Sequence, residues 1–228
     1  MASHETAPVF AVQHFCLHDG PGIRSLIFFK GCPLRCAWCQ NPESWSERAE
    51  IGFKERLCIS CGRCAEACTS DSENRPVYRD ADLCRLCFAC VEACPSGALV
   101  RLGSPKSPDE LINELSAEFP LMRESGGGVT LSGGEPTLYP KYSAALARKL
   151  RTLKIPLALE TSGMFGFGAV KQMLAAMDLV LFDIKLFDDE EHRRHCGTGN
   201  AVIKKNLTTL AGGKGKGPGL WPRMPLIP

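Results

Sequence analysis

The sequence predicts an α/β chain: a partial, open barrel of parallel strands and covering helices, C-terminally incomplete, with a small cysteine-rich module inserted into it. Three observations lead there. Apolar strand-like segments alternate with helical ones from Ser25 onward, and those strand segments are continuously apolar, as in parallel strands covered on their faces. Eleven of the thirteen cysteines stand in three tight runs. The 228 residues are 44% hydrophobic, enough for one sizeable core. A net charge of +2 removes the usual electrostatic reason to propose nucleic acid or an anionic membrane as partner. No apolar run approaches the ~20 residues of a membrane helix, and Met1–Thr6 lacks a signal peptide's basic and apolar segments. Thirteen cysteines fall short of the roughly 8–10% of a disulfide scaffold, and an odd number cannot all pair. Clustered cysteines in a cytoplasmic chain bind metal more often than they form disulfides.

In chain order, a turn-rich Asp19-Gly-Pro-Gly22 leads to the apolar run Ser25–Lys30. A helix is expected near Pro108–Phe119, with Leu111, Ile112, Leu115 and Phe119 on one face. The strand Gly128–Leu131 runs into Ser132-Gly-Gly-Glu-Pro136; a helix around Lys141–Leu153 then leads to the strand Ile155–Thr161. A helix near Ala169–Met177 precedes the strand Asp178–Ile184. A helix around Asn200–Leu210, a glycine-lysine loop Gly212–Gly219 and an apolar run Leu220–Ile227 finish the chain. Five βα units are too few for a closed eight-stranded barrel of ~250 residues, so an open one is expected. The last strand has no helix after it and would leave an apolar edge.

The inserted module spans about 51–102, dividing a barrel of 1–50 and 103–228. Cys58, Cys61, Cys64 and Cys68 have the spacing Cys-x2-Cys-x2-Cys-x3-Cys, which Cys84, Cys87, Cys90 and Cys94 repeat 26 residues later, followed by Pro95. That is the bacterial ferredoxin pattern, in which the fourth cysteine of each run serves the other run's cluster. It assigns Cys58, Cys61, Cys64 and Cys94 to one 4Fe-4S cluster, and Cys84, Cys87, Cys90 and Cys68 to a second. The alternative is a pair of structural zinc sites. Thr69 stands where that pattern has proline after Cys68. The remaining run, Cys32, Cys36 and Cys39, has only three thiols; a cubane they held would keep one iron open to an outside ligand. A zinc site with a distant fourth ligand is the competing explanation. Cys16 and Cys196 are read as free thiols or packing residues, and His192 and His195 as surface or capping histidines.

Gly31-Cys-Pro-Leu-Arg-Cys-Ala-Trp-Cys39 resembles the signature of the radical S-adenosylmethionine (SAM) superfamily. With Asp19-Gly-Pro-Gly-Ile-Arg24 before it, Gln40-Asn-Pro-Glu43 after it and the two-cluster insert, the chain resembles the glycyl-radical-enzyme activating family, relatives of the pyruvate formate-lyase activating enzyme. The resemblance runs from about Phe10 to Pro228. It implies that Cys32, Cys36 and Cys39 bind the SAM-cleaving cluster. Gly133 and Gly134 would let backbone approach the ligand, and Glu135 would accept from its ammonium group. Thr161 would meet the ribose or carboxylate; Asp183 and Lys185 would share the interior face, with Lys185 at the SAM carboxylate. Arg223 would lie near the nucleotide. A monovalent cation near that carboxylate would enlist Glu160, Thr161 and Asp183. The Asp19-Gly20-Pro21 turn would receive the partner's glycine loop. By the same resemblance, relatives continue through a further strand and helices, so these 228 residues alone are expected to bind SAM poorly and to be poorly soluble.

The activity so implied is reductive cleavage of SAM to a 5′-deoxyadenosyl radical, which takes hydrogen from a glycine of a partner glycyl-radical enzyme. Flavodoxin or ferredoxin would feed electrons through the two insert clusters. Two other classes stay open: a radical SAM reaction on a small molecule, which has less use for Asp19-Gly20-Pro21, and a plain electron carrier, which leaves the barrel motifs without purpose.

Overall fold

The computed structural model describes residues 6–69, 84–213 and 217–226. Met1–Glu5, residues 70–83 of the expected insert, 214–216 of the glycine-lysine loop and the last two residues lie outside this description.

One seven-stranded sheet dominates, and five of its neighbours in space are parallel. They are β2 (Arg24–Phe29), β6 (Gly128–Gly133), β7 (Leu157–Thr161), β8 (Leu179–Asp183) and β9 (Gly219–Arg223), adjacent in that order. Every residue of β2 is buried, and Leu26–Phe29 is continuously apolar, as in a strand between two covering layers. Helices carry the chain back between strands. The α3 helix (Pro108–Leu115) begins on a capping box, Ser107 with Glu110, and packs Leu111 and Leu115 inward. The α5 helix (Pro140–Thr152) buries Tyr142, Leu146 and Leu150; α6 (Phe167–Leu174) buries Val170, Met173 and Leu174. These side chains, with Ile27, Phe29, Leu131, Leu159, Val180 and Phe182 from the strands, form one contiguous core.

Four elements go beyond the sequence reading. β1 (Ala7–Cys16) runs antiparallel to β2 and carries β5 (Ser104–Lys106) on its other edge, so the sheet is mixed at one end. The helix expected to end near Phe119 stops at Leu115; a 3-10 turn follows, and a separate α4 (Phe119–Ser125) ends on Gly126 in the left-handed region. The α7 helix (Asp189–Cys196), capped by Asp188, precedes α8 (Ala201–Ala211).

The cysteine-rich segment leaves the main sheet through β3 (Glu50–Phe53) and returns through β4 (Leu99–Leu102), which pair antiparallel as a separate ribbon. Between them, among the described residues, lie two one-turn α-helices, α1 (Arg63–Glu66) and α2 (Ala89–Glu92). The sequence repeat is also a backbone repeat. Ser60 and Leu86, then Gly62 and Phe88, each 26 residues apart, all have positive φ, a conformation non-glycine residues adopt only under constraint. Lys30, wholly buried at the end of β2, reaches the ribbon: its Nζ donates to Glu50 at 2.5 Å and to the Glu43 carbonyl at 2.5 Å.

Candidate active site

A cavity of about 510 Å³ opens at the carboxyl ends of the parallel strands, where open α/β sheets place their ligands. Its lining brings together Cys32, Cys36 and Cys39 from the loop after β2, Ser132–Gly134 after β6, Glu160–Ser162 after β7, and Asp183 and Lys185 after β8. Asp19 joins them from the turn between β1 and β2. Residues scattered over 167 positions of chain thus meet because parallel strands all end on the same side.

The cysteine loop is held from outside. Arg35 N–H donates to the Cys196 carbonyl and Ala37 N–H to that of His195, both at 2.8 Å, which docks the loop on the end of α7. Cys196, wholly buried, packs against Cys36 and Leu34. Burial pushes the Cys32 and Cys36 thiols up to about 12. Three sulfurs on one cavity wall, with no fourth protein ligand required, suit a cubane with one open corner. Among the described residues, no three His, Cys, Asp or Glu side chains converge closely enough to hold a single metal ion.

The glycine-glycine-glutamate turn lines the cavity with Gly133 and Gly134 and packs closely against the end of β2. A Cβ on Gly134 would sit 2.0 Å from the Gly31 carbonyl oxygen, and one on Gly133 would sit 2.4 Å from the Phe29 nitrogen. Those glycines therefore admit β2 itself, with Gly134 N–H donating to Phe29 O at 2.8 Å and Glu135 N–H to Gly31 O at 2.7 Å. Glu135, expected to accept from a ligand ammonium, is wholly buried and already fully engaged. Its Oε1 accepts from Thr137 N–H, Thr137 Oγ1 and Thr161 Oγ1; its Oε2 accepts from Ser162 N–H and Ser162 Oγ. Thr161 is likewise spent, donating to Glu135 at 2.8 Å and accepting from Gly163 N–H at 3.0 Å. Both residues tie the β6 and β7 loops together, and Thr161 also lines the cavity.

The charged wall is a linked set. Lys185 Nζ donates to Asp183 at 2.8 Å; Arg223 Nε donates to the other Asp183 oxygen at 2.7 Å, and its Nη2 pairs with Glu160, which also accepts from Ser132 Oγ. Burial lowers the Lys185 pKa, but the Asp183 charge and hydrogen bond outweigh it and leave the ammonium above its ordinary value. The acids named for a monovalent cation, Glu160 and Asp183, are thus already matched by Arg223 and Lys185. The sequence names Glu160 for a cation and gives Ser132 no role; both sit beside the Gly-Gly-Glu and Glu-Thr-Ser-Gly motifs, which is the available signal.

In the cysteine-rich segment between β3 and β4, Cys58, Cys61 and Cys87 are exposed while Cys90 is buried. Burial and the neighbouring charges of Cys68, Cys84 and Cys87 raise the Cys90 pKa. Thr69 Oγ1 lies 3.9 Å from Cys87 Sγ. Cys68, last of the first run, therefore sits beside the second.

A mostly parallel sheet whose first parallel strand ends in a three-cysteine loop, facing strand ends rich in glycine and charge, matches the Radical SAM superfamily profile over residues 26–217. The chain belongs to that superfamily. The isethionate sulfite-lyase activating enzyme of Oleidesulfovibrio alaskensis is 40% identical over 213 residues, 90% of this chain and 69% of the relative. The benzylsuccinate synthase activating enzyme of Thauera aromatica is 41% identical over 208 residues, covering 87% of this chain and 63% of the relative. The pyruvate formate-lyase 2-activating enzyme of Escherichia coli is 35% identical over 224 residues, covering 98% and 68%. Within the superfamily, this chain groups with the glycyl-radical-enzyme activating enzymes. No helix among the described residues is long and apolar enough to cross a membrane.

Proposed function

We propose that the cavity brings SAM against a four-iron cluster on Cys32, Cys36 and Cys39, and that a glycine segment of a partner glycyl-radical enzyme enters beside Asp19-Gly20-Pro21. The observation that carries this is the meeting of all three thiols with Ser132–Gly134, Asp183, Lys185 and Asp19 around one cavity. A cluster held by Cys32, Cys36 and Cys39 would, when reduced, supply the single electron that divides SAM into methionine and a 5′-deoxyadenosyl radical. The chain's own residues hold the reactants. Lys185, kept protonated by Asp183, gives the methionyl carboxylate a cation in a half-buried wall. The Ser132–Gly134 backbone borders the methionyl end, and Arg223, which does not itself line the cavity, holds the lining carboxylates Asp183 and Glu160 in place. Glycine suits hydrogen abstraction because nothing on its α-carbon blocks approach, and the flanking amide nitrogen and carbonyl delocalise the radical left there.

The insert is read as two further 4Fe-4S clusters, on Cys58, Cys61, Cys64 and Cys94 and on Cys84, Cys87, Cys90 and Cys68, passing electrons inward from flavodoxin or ferredoxin. The 26-residue backbone repeat and the nearness of Cys68 to Cys87 and Cys90 support it. Thirteen cysteines with no disulfide among them suit a reducing, cytoplasmic compartment.

Anaerobically reconstituted protein is expected to form 5′-deoxyadenosine from SAM and dithionite, and Cys36→Ala to form none. About twelve irons per chain supports three clusters and about four supports one. Cluster-loaded protein whose electron paramagnetic resonance does not respond to SAM would refute the reading.

A further inference from the structure

Arg24 is the first residue of β2 and only 2% exposed, yet its hydrogen bonds go to neutral groups. Nε donates to Thr130 Oγ1 at 2.7 Å, Nη2 to the Val129 carbonyl at 2.6 Å, and Nη1 to the Pro21 carbonyl at 3.2 Å. The Thr130 hydroxyl then donates to the Asp19 carbonyl at 2.9 Å. Two carbonyls of the Asp19-Gly20-Pro21 turn are therefore held from one buried cation, directly at Pro21 and through Thr130 at Asp19. The turn also lies close over the arginine stem: Gly20 has φ +122°, and a Cβ there would come within 3.0 Å of Arg24 Cδ.

A buried charge is expensive, and packing alone does not call for one here, since an unbranched apolar side chain fills similar space. Burial does pull the guanidinium down, to about 10, but leaves it charged at neutral pH. What the guanidinium does that an apolar chain cannot is fix where two carbonyls point. Those carbonyls flank Gly20, and Asp19 lines the cavity.

We infer that Arg24, acting partly through Thr130, is a positioning residue that holds the Asp19-Gly20-Pro21 turn in the shape that receives the partner's glycine segment. This rests on the reading of that turn given above, and neither Arg24 nor Thr130 lines the cavity.

The test uses the reconstituted holoenzyme, SAM, dithionite and a synthetic peptide whose central glycine carries two α-deuterons. The radical carbon takes one deuterium atom from the glycine, leaving the glycyl radical, so deuterium in 5′-deoxyadenosine reports productive docking. Arg24→Met and Thr130→Val are each expected to raise the half-saturating peptide concentration about tenfold, the effect of losing one or two ordinary hydrogen bonds. SAM cleavage without peptide is expected to stay at the wild-type rate. Unchanged peptide saturation in both variants overturns the inference, as does a parallel fall in peptide-free cleavage. If Arg24→Met does not fold, Thr130→Val, of the same shape as the residue it replaces, decides alone. Wild-type protein that cleaves SAM but takes no deuterium overturns the reading of the turn, and Arg24's role with it. Normal wild-type transfer with unmoved variants overturns Arg24's role only.

Discussion

Replacing Glu135 by glutamine separates a structural carboxylate from a ligand-binding one. Five donors converge on its two oxygens at 2.6–3.2 Å, and two of them, Thr137 N–H and Ser162 N–H, are backbone groups that cannot rotate away. Whichever way the new amide turns, its NH2 faces one of those N–H groups, while the hydroxyls can reorient. One orphaned N–H costs about 1–3 kcal/mol, and the surviving bonds lose their charge assistance, so Glu135→Gln should cost ~3 kcal/mol. Against the 5–15 kcal/mol that holds a typical domain together, that is a large fraction, equivalent to roughly 6–12 °C in Tm for a chain of this size. Urea unfolding of the cluster-free protein, followed by circular dichroism, measures it. A loss below about 1 kcal/mol, accompanied by weaker SAM binding in the loaded protein, would refute the argument and return Glu135 to the ligand.

Three further outcomes follow from the same geometry. Gly134→Ala places a methyl group 2.0 Å from the Gly31 carbonyl oxygen, so it should cost about 3 kcal/mol or prevent folding, read as a fall in Tm. Lys185→Met should weaken SAM binding about tenfold while leaving iron content unchanged, the loss expected from one partly buried charge-assisted hydrogen bond; titration of the loaded protein with SAM checks both. Cys68→Ala should mimic Cys84→Ala rather than Cys58→Ala in the electron paramagnetic resonance of the remaining clusters, because Cys68 lies beside Cys87 and Cys90. Spectra matching Cys58→Ala instead would show that each run holds its own cluster.

The sequence disclosed the parts of the fold whose information is local. The parallel strands announce themselves because β2, β6, β7 and β8 are almost wholly buried and therefore apolar over most of their length. β1 differs: Val9–Val12 is an apolar run without the polar–apolar alternation that marks an antiparallel strand, and beyond Val9 its residues are half-buried or exposed, Gln13 and His14 among them. The α7 helix was missed because Asp189–Cys196 is almost entirely charged and buries only His192 and Cys196, leaving no apolar face to detect. Its caps could have shown it, with Asp188 accepting from Glu190 and Glu191 N–H and Gly197 ending it in the left-handed region. β5, Ser-Pro-Lys, is too short to carry any period.

The candidate site divides in the same way. Which cysteines lie near one another within a run is legible because three or fewer residues separate neighbours, so covalent geometry alone keeps their sulfurs close, whereas the approach of Cys68 to the second run is not. What each polar residue bonds to was not legible, because Glu135 meets Thr161 across 26 residues and Arg223 meets Glu160 across 63. A chain's spacing sets which groups must be neighbours; only the stacking of parallel strands sets which distant carboxylate spends its lone pairs on the protein and which keeps them for a ligand.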